Sequence, residues 1–334
     1  MERVNYPKPR YPFPGLMNPH ADMVKTATDN WIDERYQFLP KQMQMKYKLS
    51  NFGYITARCL PDIHDFQKFE PCGRFMLWGT VFDDYYEHCN ELQLQGLSQR
   101  VVDILNGDKV LLDEHPIFHE LVVVRNELRA FMPDIWMQRF NEHVRVFIDS
   151  MQWEAPYKTN KVHPSLATFM TIREITIGVH AFLDLIEIQT GTILPNEIMD
   201  HAYMKQLYAL TSRIFAWCND FFSLEKDMGR EVMNLVFVVQ KEYNLSFEDA
   251  CTEAMRIHDK DVADLVALQK NQPDFGEFNS VVKAFASYLG TMIEGQNAWY
   301  NVDTKRYQKG GHPEENTFRN VIDSQAEAYR LQSN

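Results

Sequence analysis

Apolar side chains recur along this chain every three or four residues, the spacing that gathers them on one face of an α-helix. The pattern predicts helices over 20–39, 64–88, 116–132, 134–152, 164–188, 198–227, 231–243, 247–270 and 275–301. Pro133 separates two of them, because proline cannot donate to the preceding turn. Few stretches alternate with period two, so no sheet is expected. The start differs: Pro7, Pro9, Pro12, Pro14 and Pro19 fall within residues 1–19, which predicts an extended arm. Residues 308–334 are polar and read as a loose tail. No repeat or linker interrupts the span between, so residues 20–307 are expected to form one all-α domain.

Composition narrows the picture. The chain has 334 residues, 45% hydrophobic and 24% charged, which describes a folded protein and not a disordered one. Length alone suggests about two domains, but the unbroken series of helices overrides that. Lys and Arg number 34 against 46 Asp and Glu, a formal charge of −12. Such a surface repels nucleic acid. No stretch carries about 20 uninterrupted apolar residues, so no membrane span is expected. The five cysteines lack a metal-knuckle spacing and read as buried thiols of a cytoplasmic protein. The aromatic count is high, with 22 Phe, 15 Tyr and 6 Trp, enough to line a large apolar interior.

Two polar clusters end apolar helical runs. The first follows Phe75-Met-Leu-Trp-Gly-Thr-Val-Phe82 and reads Asp83-Asp84-Tyr-Tyr-Glu87. Asp83 and Glu87 are one turn apart and share a face, where their charges repel unless a cation lies between them. Carboxylate oxygens suit Mg²⁺, which keeps part of its water and takes phosphate oxygens readily. The second cluster places Asn219, Ser223 and Asp227 at i, i+4 and i+8, three hard oxygen donors on successive turns of one face. Lys226 and Arg230 stand beside them and suit an anion. Metal ions held by such acids would convert an acidic mouth into a phosphate site, so the net charge does not exclude a phosphorylated substrate.

Together the clusters resemble the class I terpene synthases, or terpene cyclases, of the bacterial and fungal single-domain type. Asp83-Asp84-x-x-Glu87 is similar to their aspartate-rich motif. Asn219-Asp220-x-x-Ser223-x-x-Lys226-Asp227 is similar to their second metal motif, with Asp227 where Glu is usual. Arg173 resembles the upstream diphosphate-sensing arginine, and Arg306-Tyr307, preceded by Trp299, resembles the C-terminal Arg-Tyr pair. The segment from Tyr11 through Asn18-Pro19-His20 to Trp31 also fits the family's start, so the resemblance covers residues 10–307.

The resemblance implies a helical barrel that uses three Mg²⁺ ions, with Mn²⁺ as a substitute, to ionise a linear prenyl diphosphate. Pyrophosphate leaves, and the carbocation cyclises to a terpene hydrocarbon or alcohol. It assigns Asp83, Glu87, Asn219, Ser223 and Asp227 to metal, and Arg173, Lys226, Arg306 and Tyr307 to the diphosphate. Thr176, Ile177 and Gly178 fall at the position of the family's helix-break trigger. Gly178 either permits that break or marks a close contact. Phe75, Met76, Gly79, Phe82, Phe215 and Trp299 are expected to line the cavity. The missing side chain of Gly79 leaves room below the metals, which favours geranylgeranyl diphosphate (C20) slightly over farnesyl diphosphate (C15). The arm and the loop near Arg306 are expected to act as lid parts, and a homodimer is compatible with the family.

Rival readings fit less well. A chain-elongating prenyl diphosphate synthase needs a second aspartate-rich motif, where this chain has Asn219, Ser223 and Asp227. A di-iron carboxylate bundle needs Glu-x-x-His pairs, which the sequence lacks. A non-catalytic helical scaffold explains the helices but not the ordered polar motifs.

Overall fold

A computed structural model describes residues 7–87, 89–313, 323–324 and 327–328. The described residues hold sixteen α-helices, α1 to α16, and no strand. In chain order they are Ala21–Arg35, Lys41–Ser50, Phe52–Cys59, Phe66–Tyr86, Glu91–Leu94, Leu97–Asn106, Pro116–Arg129, Asp134–Asn160, Leu166–Thr176, His180–Asp184, Ile186–Thr190, Asn196–Met199, Ala202–Asp227, Leu235–Tyr243, Phe247–Lys270 and Asn279–Ala298. A π-turn, Trp299–Asp303, extends the last helix.

The long helices α4, α8, α13 and α16 are the frame. Helix α4 packs on α3 and α7, α8 on α6, α9 and α10, and α13 on α9, α15 and α16. Their inward faces form one continuous core containing Trp78, Trp136, Phe140 and Phe285, with a second core between α9, α13, α14 and α15 around Phe169 and Trp217. All five cysteines are buried thiols. No single described helix is long and apolar enough to cross a membrane.

Differences from the predicted helices have local causes. Helix α8 runs to Asn160, past the expected stop at 152, although Pro156 lies inside it. Proline removes one amide from the ladder there, a cost that packing of the buried Met151, Glu154 and Ala155 offsets. The expected helix 164–188 is broken: Gly178 has φ +72° and the chain bends by 46° between α9 and α10. The expected helix at 231 begins at Leu235, because the Asn234 side chain accepts from the Val236 amide and caps it. Helices α2, α3, α5 and α6 were not expected. Helix α3 has eight residues, fewer than the roughly 11–18 over which helical periodicity is read.

The arm 7–19 is extended, as its prolines dictate. None of its described residues lines the central cavity. Tyr11 instead bonds His258 on α15 at 2.9 Å, and Asn18 is buried with its amide on the Leu60 and Ile63 carbonyls. Most of the expected tail lies outside the described residues, but Tyr85 on α4 donates to the carboxylate of Asp323.

Candidate active site

The helices enclose a cavity of about 230 Å³. Asp83 and Glu87 stand at its wall because they close α4, one turn apart. Asn219, Ser223 and Asp227 stand across it because they close α13. Arg173 and Thr176 close α9, and the turn after the π-turn brings Arg306, Tyr307 and His312 to the same space. Every expected metal, diphosphate and trigger residue therefore borders one cavity. The expected aromatic and small lining residues do so too, except Phe82. Phe82 is fully buried outside the cavity, its ring 4.9 Å from Trp78 and 4.6 Å from Tyr86. It lies on the core-facing side of α4, one residue before Asp83 and so about 100° around the helix.

The acids of α4 differ in their partners. Asp84 accepts from the Arg306 guanidinium and, at 2.6 Å, from the Tyr47 hydroxyl. Asp83 accepts no hydrogen bond from a described residue. Burial and then repulsion by Glu87 and Asp84 push its carboxyl up to about 7. A cation placed there would reverse that cost.

On α13, Asn219 Oδ1 accepts from Arg173 Nη2 at 3.0 Å, and its Nδ2 donates to the hydroxyls of Tyr300 at 2.7 Å and Tyr307 at 3.0 Å. The amide oxygen keeps a second lone pair. Asp227 Oδ2 accepts from Ser223 at 2.5 Å and Asn234 at 3.0 Å. Its buried Oδ1 has the Lys226 ammonium 3.1 Å away but accepts no hydrogen bond. Asp227 thus turns its short side chain to the same face as Asn219 and Ser223 and keeps an oxygen available.

These donors fit a divalent ion of the Mg²⁺ type. Among the described residues no three His, Cys, Asp or Glu side chains converge tightly enough to hold an ion alone. The donors stand on two walls and include an amide and a hydroxyl, so an ion would complete its shell with water and substrate oxygens, as Mg²⁺ commonly does. The cationic side also fits an anion. Arg306 is 5% exposed, yet its Nη1 has no acceptor among the described residues.

Several residues here were missed in the sequence. Asp220 is the partner of Arg173: Oδ1 accepts from Nε and Nη2 at 3.2 and 2.8 Å, while Oδ2 accepts from the Leu235 amide at 2.8 Å. Burial raises Asp220 to about 6 against the pull of Arg173. Its adjacency to Asn219 was the available signal. Glu154 and Lys158 on α8 also line the cavity, 2.8 Å apart. Their i, i+4 spacing was legible, but they lie beyond residue 152, where the predicted helix stops. Tyr300 and Phe182 carried no signal at all.

Gly178 serves both purposes left open for it. Its φ is left-handed, and a Cβ would come within 2.9 Å of the Phe147 ring. Gly79 borders the cavity, and a Cβ there would touch the Phe182 ring at 3.4 Å, so that ring bounds the room that the glycine leaves.

Comparison with known proteins agrees with this geometry. Residues 74–264 match the family model described as terpene synthase family 2, C-terminal metal binding. The chain is 29% identical over 295 residues to a (+)-T-muurolol synthase ((2E,6E)-farnesyl diphosphate cyclizing) of Roseiflexus castenholzii, covering 86% of this chain and 90% of that one. It is 26% identical to a germacrene A synthase of Nostoc punctiforme, over 86% of this chain and 91% of that one. A 4-epi-cubebol synthase ((2E,6E)-farnesyl diphosphate cyclizing) of Streptosporangium roseum is 22% identical over 89% and 90% of the two chains. Among solved structures, α-eudesmol synthase superposes with a TM-score of 0.78 at 19% identity, over 88% of this chain and 99% of that one, a likeness of fold.

Proposed function

The chain belongs to terpene synthase family 2, and from that premise we propose that this class I terpene cyclase acts on farnesyl diphosphate, using Mg²⁺ as its divalent metal. One observation carries the reading. A single cavity is lined both by oxygen donors with buried cations and by aromatic side chains.

In this reading Asp83 and Glu87 hold metal from α4, and Asn219, Ser223 and Asp227 hold it from α13, with three ions in all. When bound, the ions supply positive charge that stabilises the departing pyrophosphate. Arg306 offers the buried Nη1 hydrogens to phosphate oxygens, and its fork is always charged. Arg173, held by Asp220, presents a fixed charge beside Asn219. Lys226 and Tyr307 complete the anion end. These groups bind the diphosphate and favour charge separation as the C–O bond breaks.

The allylic cation then needs walls that attract it without reacting. Phe75, Phe215 and Trp299 offer aromatic faces, each worth roughly 0.5–2 kcal/mol to a cation in a dry site. Trp299 is fixed by donation from Nε1 to the Ser50 carbonyl at 2.9 Å. No described donor reaches the Ile177 carbonyl, which leaves it able to face the cation. Buried aromatic packing keeps water from the cation, which water would quench.

Farnesyl diphosphate is favoured over geranylgeranyl diphosphate for two reasons. Phe182 bounds the space beside Gly79, and two relatives carry farnesyl diphosphate in their names. The test is incubation with C10, C15, C20 and C25 diphosphates plus Mg²⁺, with products separated by gas chromatography–mass spectrometry. The expected result is pyrophosphate and a cyclic C15 product from farnesyl diphosphate, with isopentenyl diphosphate left unconsumed. Turnover of the C20 diphosphate alone would overturn the substrate, and no turnover of any would overturn the reaction.

A further inference from the structure

The broken helix must be held at its loose end. Helix α9 stops at Thr176 and α10 starts at His180. Helix ends carry unpaired backbone groups, and α10 is only five residues long, too short to be stable by itself. The Thr176 side chain is buried, and its hydroxyl donates to Oε1 of Glu154. Glu154 is 5% exposed and belongs to α8, a different wall. Its other oxygen, Oε2, pairs with Lys158 Nζ at 2.8 Å. Glu154, Lys158, Arg173 and Thr176 all border the cavity.

The charges around Glu154 keep it ionised. Burial opposes the carboxylate, but Lys158 and Arg173 together outweigh burial and hold its pKa below the usual range. Arg173 itself directs its hydrogen bonds to Asp220 and Asn219, not to Thr176. Thr176 is also uncharged. Arg173 meets the break only through the helix backbone, where the Ile177 amide donates to its carbonyl at 3.2 Å; the side-chain link from a cavity cation to the break is Lys158–Glu154–Thr176.

We propose that Glu154 is a positioning residue that couples diphosphate binding to the helix break, with Lys158 on one carboxylate oxygen and Thr176 on the other. An anion that draws on Lys158 changes the pull on Oε2. The carboxylate is shared, so the change reaches the Thr176 hydroxyl and the adjoining Ile177 peptide. This rests on the cyclase reading above.

A double-mutant cycle of Glu154→Gln and Thr176→Val tests it, with Thr176→Ser as the hydroxyl-retaining control. Three quantities are read: pyrophosphate release from farnesyl diphosphate, product ratio, and amide hydrogen exchange over residues 177–180 in the metal-free protein. Each single variant is expected to lower kcat about tenfold or more while KM stays within about threefold, a scale set by small misplacements in other active sites. Product ratios shift and exchange over 177–180 quickens. The double variant is no slower than the slower single, as coupled sites require, and Thr176→Ser restores the parent's behaviour. A double variant showing the product of the two losses would overturn the proposal. So would single variants that lower only the melting temperature. If the parent itself ionises no prenyl diphosphate, the cyclase reading fails, while the exchange measurement still decides the Glu154–Thr176 link.

Discussion

Arg306 and Asp84 form a buried ion pair that joins the last turn bordering the cavity to the acidic end of α4. Burial pushes the Asp84 carboxyl up, and Arg306 draws it back down. The pair divides the work of two adjacent acids: Asp84 orients the arginine, and Asp83 is left for a cation.

The two acids should therefore fail differently. Asp83→Asn is expected to raise the Mg²⁺ concentration needed for half-maximal rate at least tenfold. Asp84→Asn should leave that requirement within about threefold and raise KM for the diphosphate, because it releases Arg306; tenfold corresponds to about 1.4 kcal/mol. Metal titrations at fixed substrate separate the two, and equal metal requirements would contradict the division.

Asp220 has a structural cost attached to it. Asp220→Ala would leave Arg173 buried beside Asn219 without its carboxylate. Loss of one partner of a buried pair typically costs about 3–5 kcal/mol. Urea unfolding should report a loss in that range, and Asp220→Asn should lose less, since its amide oxygen can still accept from Arg173.

The two cavity glycines should respond in opposite ways. Gly178→Ala forces a side chain into φ +72° and within 2.9 Å of Phe147. A destabilisation of about 1–3 kcal/mol is expected, readable by thermal unfolding. Gly79→Ala meets only the flexible end of Phe182 at 3.4 Å. It should leave stability near the parent's and change the product ratio, because the added methyl narrows the cavity beside Phe182.

The pH response follows from burial of acids. Asp83 and Glu187 are raised to about 7, chiefly by burial. Each binds a proton in the folded protein at a pH where the unfolded chain, near 4, does not. The folded state therefore holds more protons, and the metal-free protein loses stability as pH rises through 7. Metal needs Asp83 deprotonated, so Mg²⁺ affinity should rise from pH 6 to pH 8 with proton release on binding. Calorimetry in buffers of different ionisation enthalpy measures that release. An affinity independent of pH would show that Asp83 does not gate the metal.

The resemblance to the terpene synthases pointed to Arg173 and Arg306, and the sequence alone determined the helical class and the acidic ends of α4 and α13. These are local signals: periodic apolar residues fix a helix, and polar groups one turn apart fix a face. It could not determine what lies across the cavity. Glu154 reaches Thr176 from another helix, Asp220 holds Arg173 from beside an expected ligand, and Phe182 stands against Gly79. Even Phe82, next to Asp83, points into the core because helix rotation relative to the other walls decides its side. Such contacts join residues far apart in the chain, and only packing, which sets each helix's rotation and height against its neighbours, decides them.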